Sequence, residues 1–260
     1  MLPAYATRQP YPYKSRARGK YQAMAVSIYK KPAILFLMAC SLALTGRAQV
    51  QIGIKGGLNV SEMLTSGNPT TLVEGNAQNM RYFPFTTFHG GVFFSIPLSK
   101  KWVFQPELVY SSQGATDKPE KNYLVTATED YRFGYLNLPL LIKYKLPVGF
   151  FVETGPQVGL LLRAKINETM VADATTTQYN IKDQLKSTDL SWTLGAGYCS
   201  PFNVGFDIRY NLGLSNINQA TAGGLANAPI PNGTIKNSVV QIGVFYIFGE
   251  RTFNPPGAEE

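Results

Sequence analysis

The stretch "NVGFDIRYNLGLS", residues 203–215, decides the fold. In it Val204, Phe206, Ile208, Tyr210, Leu212 and Leu214 alternate with Gly205, Asp207, Arg209, Asn211, Gly213 and Ser215. A period of two puts one set on each face of an extended strand. One face is large and apolar, the other small, polar or charged. What covers the apolar face is the question on which the rest of the chain bears.

Strand-like runs recur at 50–58, 86–96, 102–113, 133–146, 150–162, 190–199, 204–215 and 238–248, eight in all. No segment carries apolar residues at a helical spacing, so the chain reads as all-β. In 238–248, Val240, Ile242, Val244, Tyr246 and Phe248 share a face; in 190–199, Leu190, Trp192, Leu194, Ala196 and Tyr198 do so, opposite Ser191, Thr193, Gly195, Gly197 and Cys199. The connections alternate as well. Tight turns at 97–101 ("PLSKK"), 146–149 ("LPVG") and 200–203 ("SPFN") separate long polar segments at 59–85, 115–130, 163–189 and 216–237. That order is expected of an eight-stranded antiparallel up-and-down transmembrane β-barrel with short periplasmic turns and four long extracellular loops.

The environment follows from the faces. A soluble barrel of lipocalin type lines its interior with apolar residues and turns its charges to water. Here the large apolar face belongs outside, against lipid, while small and charged residues fill a lumen that eight strands leave narrow. Parity sends Glu107, Lys143, Lys145, Glu153, Asp207 and Arg209 inward, where unpaired charge is costly, so a plugging network of ion pairs and hydrogen bonds is expected. Trp102, Phe104, Tyr144, Tyr198, Tyr246 and Phe248 sit near the turn ends as one aromatic girdle, with Phe88, Tyr110, Phe133, Trp192 and Tyr210 nearer the loop ends as a second. Pro106, Pro139 and Pro156 fall inside strands, where they imply bulges or local breaks.

The chain's basic character is local. Its formal net charge of +8 comes from eight basic residues between Met1 and Ala48, a segment with no acidic one; without it 16 Lys and Arg face 16 Asp and Glu. This removes nucleic acid as an expected partner. Lys30 and Lys31, the apolar run "AILFLMACSLAL" (33–44) and the small residues Gly46 and Ala48 follow the order of a secretory signal. We therefore expect residues 1–48 to comprise an N-terminal extension and a cleaved signal peptide, with Met24 as a second candidate start, 49–248 the barrel, and 249–260 a short tail. Cys40 lies inside the signal, which leaves Cys199 with no mature partner for a disulfide.

"FQPELVYSSQG" (104–114), "YLNLPLLIKYKL" (135–146), "FVETGPQVGLLL" (151–162) and "LGAGY" (194–198), with "QIGIKGGLNVS" (51–61) and "QIGVFYIF" (241–248) at the ends, resemble the outer-membrane barrel domain of the PorT-like family. The resemblance implies a small barrel in a Gram-negative outer membrane, in some members linked to protein secretion; the signal-like segment implies Sec-type export, and a membrane barrel is expected to be inserted by the barrel assembly machinery. It implies no catalytic residue and no cofactor. The single histidine, His89, falls on the lumen face without a metal-ligand cluster around it. The expected function is a membrane-anchored scaffold acting through its loops, with a narrow solute channel as the alternative and an outer-membrane hydrolase using His89 as a third reading.

Overall fold

The computed structural model describes residues 50–249 apart from 67–69, 74–75, 80–81, 118–126, 171–173 and 220–233. The signal segment, both candidate starts and the tail from residue 250 lie outside the described residues. Eleven strands follow in order: β1 (Gln51–Ser66), β2 (Thr70–Val73), β3 (Asn76–Asn79), β4 (Tyr82–Pro97), β5 (Trp102–Asp117), β6 (Ala127–Lys145), β7 (Phe150–Met170), β8 (Thr176–Asn180), β9 (Thr188–Cys199), β10 (Val204–Gly213) and β11 (Thr234–Ile247). Eight of them close a ring in the order β6-β5-β4-β1-β11-β10-β9-β7, shut by β6 pairing with β7. Every pairing is antiparallel. The fold is the eight-stranded barrel that the alternation calls for. Closure leaves the wall no edge, so backbone polar groups are satisfied within it, as lipid requires.

The faces sort by exposure. Along β10, Val204, Phe206, Ile208, Tyr210 and Leu212 are exposed while Gly205, Asp207, Arg209 and Asn211 are buried. On neighbouring strands Ile52, Ile54, Leu58, Ile242, Val244, Val152 and Leu194 continue the outer apolar surface. So continuous an apolar belt is unstable in water and suited to hydrocarbon.

The interior is not built only of small and charged residues. Phe93, Phe151, Phe245 and Ile247 form a buried cluster toward the turn end, with Cys199 packed on it. Each ring is admitted by a glycine directly across the ladder: Gly53 pairs with Phe93, Gly197 with Phe151 and Gly205 with Phe245. A Cβ on any of these glycines would collide with the ring that it faces. The glycines on the lumen face therefore make room for large neighbours.

Toward the loop end the strands outrun the sequence-based boundaries. β6 and β7 stay paired out to Ala127 and Met170, and β8 adds to β7 beyond β9. A second apolar cluster fills the ring there, including Tyr131, Phe133, Tyr135, Ile166, Ile181, Leu185 and Ile217. Phe133, expected in the loop-end girdle, is 2 % exposed and belongs to this cluster. Its parity with Tyr131 and Tyr135 turns it inward. The prolines resolve as breaks without bulges. The β6–β7 ladder loses its pairs between Pro139 and Ile142, the β5–β6 ladder between Pro106 and Val109, and the register is unchanged across both gaps.

One turn carries strain. Val148, in the Pro147–Gly149 turn, has φ 64° and ψ 14°, a left-handed conformation that a β-branched residue rarely adopts. Val148→Asn should relieve it and stabilise the barrel by about 1 kcal/mol. The readout is a raised urea midpoint for the protein refolded in detergent.

Candidate functional site

The lumen carries a layer of six charges from five strands. Arg209 of β10 donates to both oxygens of Glu107 on β5, Nη1 to Oε2 at 2.7 Å and Nη2 to Oε1 at 2.8 Å. Its Nε donates to Glu153 Oε1 on β7 at 2.5 Å. Lys55 of β1 donates to Asp207 Oδ2 at 2.9 Å and lies 3.7 Å from Glu107 Oε2. Lys143 of β6 pairs with Glu153 Oε2 at 3.4 Å, across a directly opposed pair of the ladder. Three cations thus meet three carboxylates, all buried.

The fork between Arg209 and Glu107 has a special reach. β5 and β10 stand four places apart whichever way the ring is counted, so they face each other across the lumen. Bidentate guanidinium–carboxylate geometry is among the strongest polar contacts, and here it spans the barrel. Gly195 lies between Arg209 and Glu153 in register, and a Cβ there would come within 3.0 Å of both side chains. Its small size lets the two charges meet. Gln105 Nε2 donates to Glu107 Oε1 at 2.6 Å, which completes the carboxylate's shell.

Further layers stack on either side. Toward the turns, Lys143 Nζ sits 3.8 Å from the centroid of Phe151, a cation–π contact that ties the ion layer to the phenylalanine cluster. Toward the loops, Asn59 donates Nδ2 to Ser111 Oγ and to the carbonyls of Phe88 and Ser112, while its Oδ1 accepts from Gln241 Nε2 at 2.9 Å. The same oxygen contacts His89 Nδ1 at 2.8 Å, which makes that ring nitrogen the donor. Asp189 accepts from Ser215 and from Asn237 higher up.

Five of the six charges that parity turns inward, Glu107, Lys143, Glu153, Asp207 and Arg209, meet in the one layer. Lys145 does not join it; it lines the turn-end mouth beside Lys143 and Cys199. Lys55 was missed, although in "QIGIKGG" it shares a face with Gly53 and Gly57, opposite Ile52, Ile54 and Leu58. That parity was the available signal. The hydrogen-bond partners Asn59, Gln105 and Gln241 give no charge signal at all. On the outer wall, Trp102 meets Tyr144 in a tilted contact with ring centroids 4.8 Å apart, and Tyr246 meets Phe248 edge to face at 5.1 Å. Tyr198 contacts Phe150, and Phe104 is half-buried on the same outer face.

His89 has no hydrogen bond to a serine or a carboxylate among the described residues, and no group of His, Cys, Asp and Glu there could hold a metal ion.

A family model described as outer membrane protein beta-barrel domain matches residues 43–219. No curated protein matches the chain. Among solved structures the chain is similar to Neisserial surface protein A, at 10 % identity over 76 % of this chain and 97 % of that one, with a TM-score of 0.42. It is similar also to Ail, the attachment invasion locus protein of Yersinia pestis, in complex with sucrose octasulfate, at 10 % identity over 76 % and 99 % of the two chains and a TM-score of 0.41. A third is OprG from Pseudomonas aeruginosa, at 15 % identity over 78 % and 98 % and a TM-score of 0.36.

Proposed function

The chain belongs to the outer membrane protein beta-barrel domain family, and we propose that within the outer membrane it is a non-enzymatic, membrane-anchored scaffold that binds a partner through its extracellular loops. The observation that carries this reading is the Arg209–Glu107 fork between opposed strands. With the phenylalanine cluster below it and the apolar cluster above, it stands across the path that a solute would take. Function then falls to the loop end, where β6, β7 and β8 build a platform beyond the lipid belt. Loops held on a rigid frame are where binding usually resides.

The scaffold is preferred to a hydrolase because, among the described residues, the hydrogen bond of His89 goes to the Asn59 amide and not to a hydroxyl or thiol that a general base could activate. We infer further that the kinship is PorT-like, on the segments 104–114, 135–146, 151–162 and 194–198, and that the partner is another envelope or secretion protein. Sec-type export and the barrel assembly machinery deliver the chain to its membrane.

Planar-bilayer recording tests the plug. The refolded protein is expected to add no current above the leak of the bare bilayer. Discrete current steps would establish the narrow channel in place of the scaffold.

A further inference from the structure

The outer wall carries a furrow of about 690 Å³ at the turn-end half of the lipid belt, lined by Trp102, Ile142, Tyr144, Val152, Thr154 and Leu194. Its volume falls within the roughly 300–1,000 Å³ of small-ligand sites. Register explains its shape. Thr154 lies directly between Ile142 of β6 and Leu194 of β9, and Val152 between Tyr144 and Ala196, so β7 supplies a floor of short side chains. The rings of Trp102 and Tyr144, in tilted contact, rise on one side and Leu194 on the other. Trp192 Nε1 donates to Thr154 Oγ1 at 2.9 Å, which spends the polar group of the floor within the wall.

The furrow opens beside a cationic turn. Lys100 and Lys101, both exposed, immediately precede Trp102, and the three turns 97–101, 146–149 and 200–203 contain no acidic residue. The first turn is fixed in place: Ser99 Oγ accepts from the Lys101 and Trp102 amides, and the Trp102 carbonyl accepts from Leu98 and Ser99.

We propose that this furrow is a binding site for an anionic phospholipid of the periplasm-facing leaflet, one acyl chain lying on Val152 and Thr154 and the phosphate held at Lys100 and Lys101. Continuity with the aromatic girdle sets the chain's depth, and the two ammonium groups select the headgroup charge. The site rests on the membrane reading of the barrel. A lysine near an anionic lipid surface contributes about a fivefold factor, so the pair supplies up to about 25-fold.

The chain has two tryptophans, Trp102 in the furrow lining and Trp192 outside it but bonded to Thr154, so a Trp192→Phe variant leaves Trp102 as the sole reporter. This variant is refolded into phosphatidylcholine vesicles containing either brominated phosphatidylglycerol or brominated phosphatidylcholine at the same mole fraction. Trp102 fluorescence is expected to be quenched at several-fold lower content by the brominated phosphatidylglycerol, and Lys100→Gln with Lys101→Gln should abolish that preference. Equal quenching by the two lipids would overturn the site and leave the barrel in its bilayer. A preference that survives the lysine changes would overturn the headgroup assignment. Absence of quenching by either lipid would overturn the membrane reading itself.

Discussion

Replacing Arg209 by Leu is expected to cost the barrel about 3–5 kcal/mol, the largest loss from a single change in the lumen. Arg209 is 3 % exposed, and its guanidinium donates to two carboxylates at once, Glu107 across the lumen and Glu153 two strands away, and lies 3.6 Å from a third, Asp207. Its removal leaves three buried carboxylates against Lys55 and Lys143, and neither lysine can replace a fork that spans the ring. Leucine fills part of the volume, so the loss is chiefly electrostatic. A second change makes that separable. Adding Glu107→Gln restores equal numbers of cations and carboxylates, so the double variant should recover a large part of what Arg209→Leu loses. The measurement is a double-mutant cycle on urea unfolding in detergent, followed by the mobility difference between boiled and unboiled protein. Additive losses would mean that the fork contributes little coupling and that packing alone holds the layer.

The turn ends of the barrel were legible because two constraints act there together. Trp102, Phe150, Cys199 and Val204 begin or end their strands where the sequence places them, since lipid demands an apolar outer residue at every second position right up to a turn of Pro, Gly, Ser or Asn. Beyond the belt only the inner face is constrained. Tyr131, Phe133 and Tyr135 still alternate with Arg132 and Gly134, but the apolar set now points inward, so the outer-face pattern ends at the belt while the strand continues to Ala127. Ile181, Leu185 and Ile217 are single apolar residues in polar connections, and no local period announces that they meet in a cluster.

The lumen shows the same division. A charge on a wall strand has only the interior to enter, so parity can turn Glu107, Lys143, Glu153, Asp207 and Arg209 inward one strand at a time. Which of them pair depends on ring order and stagger, which couple Arg209 to a residue 102 positions away. Lys145 shows where parity stops being enough. It shares the inward face with Lys143 but lies two residues nearer the turn, below the carboxylates.

The residue beside Arg209 makes the converse demand. Ile208 is exposed on the outer wall, flanked in register by Ala196 and Ile242, and lies between Phe206 and Tyr210 along β10. The outer positions of this strand run from Val204 to Leu214, and a lipid belt is about 25 Å tall, which puts Ile208 near its middle. Ile208→Arg is therefore expected to lose about 2–4 kcal/mol, since the guanidinium must reach toward headgroups past aromatic neighbours in either direction. Ile208→Leu keeps the transfer energy and should change stability little, so the pair separates charge from shape. If Ile208→Arg were neutral in refolding from urea into phospholipid vesicles, the outer face would be in contact with water and the assignment of faces would be reversed. Arginine is thus required at one position and excluded at the next. Only a closed wall with lipid on one side and an ion layer on the other imposes both demands within a single step of the chain.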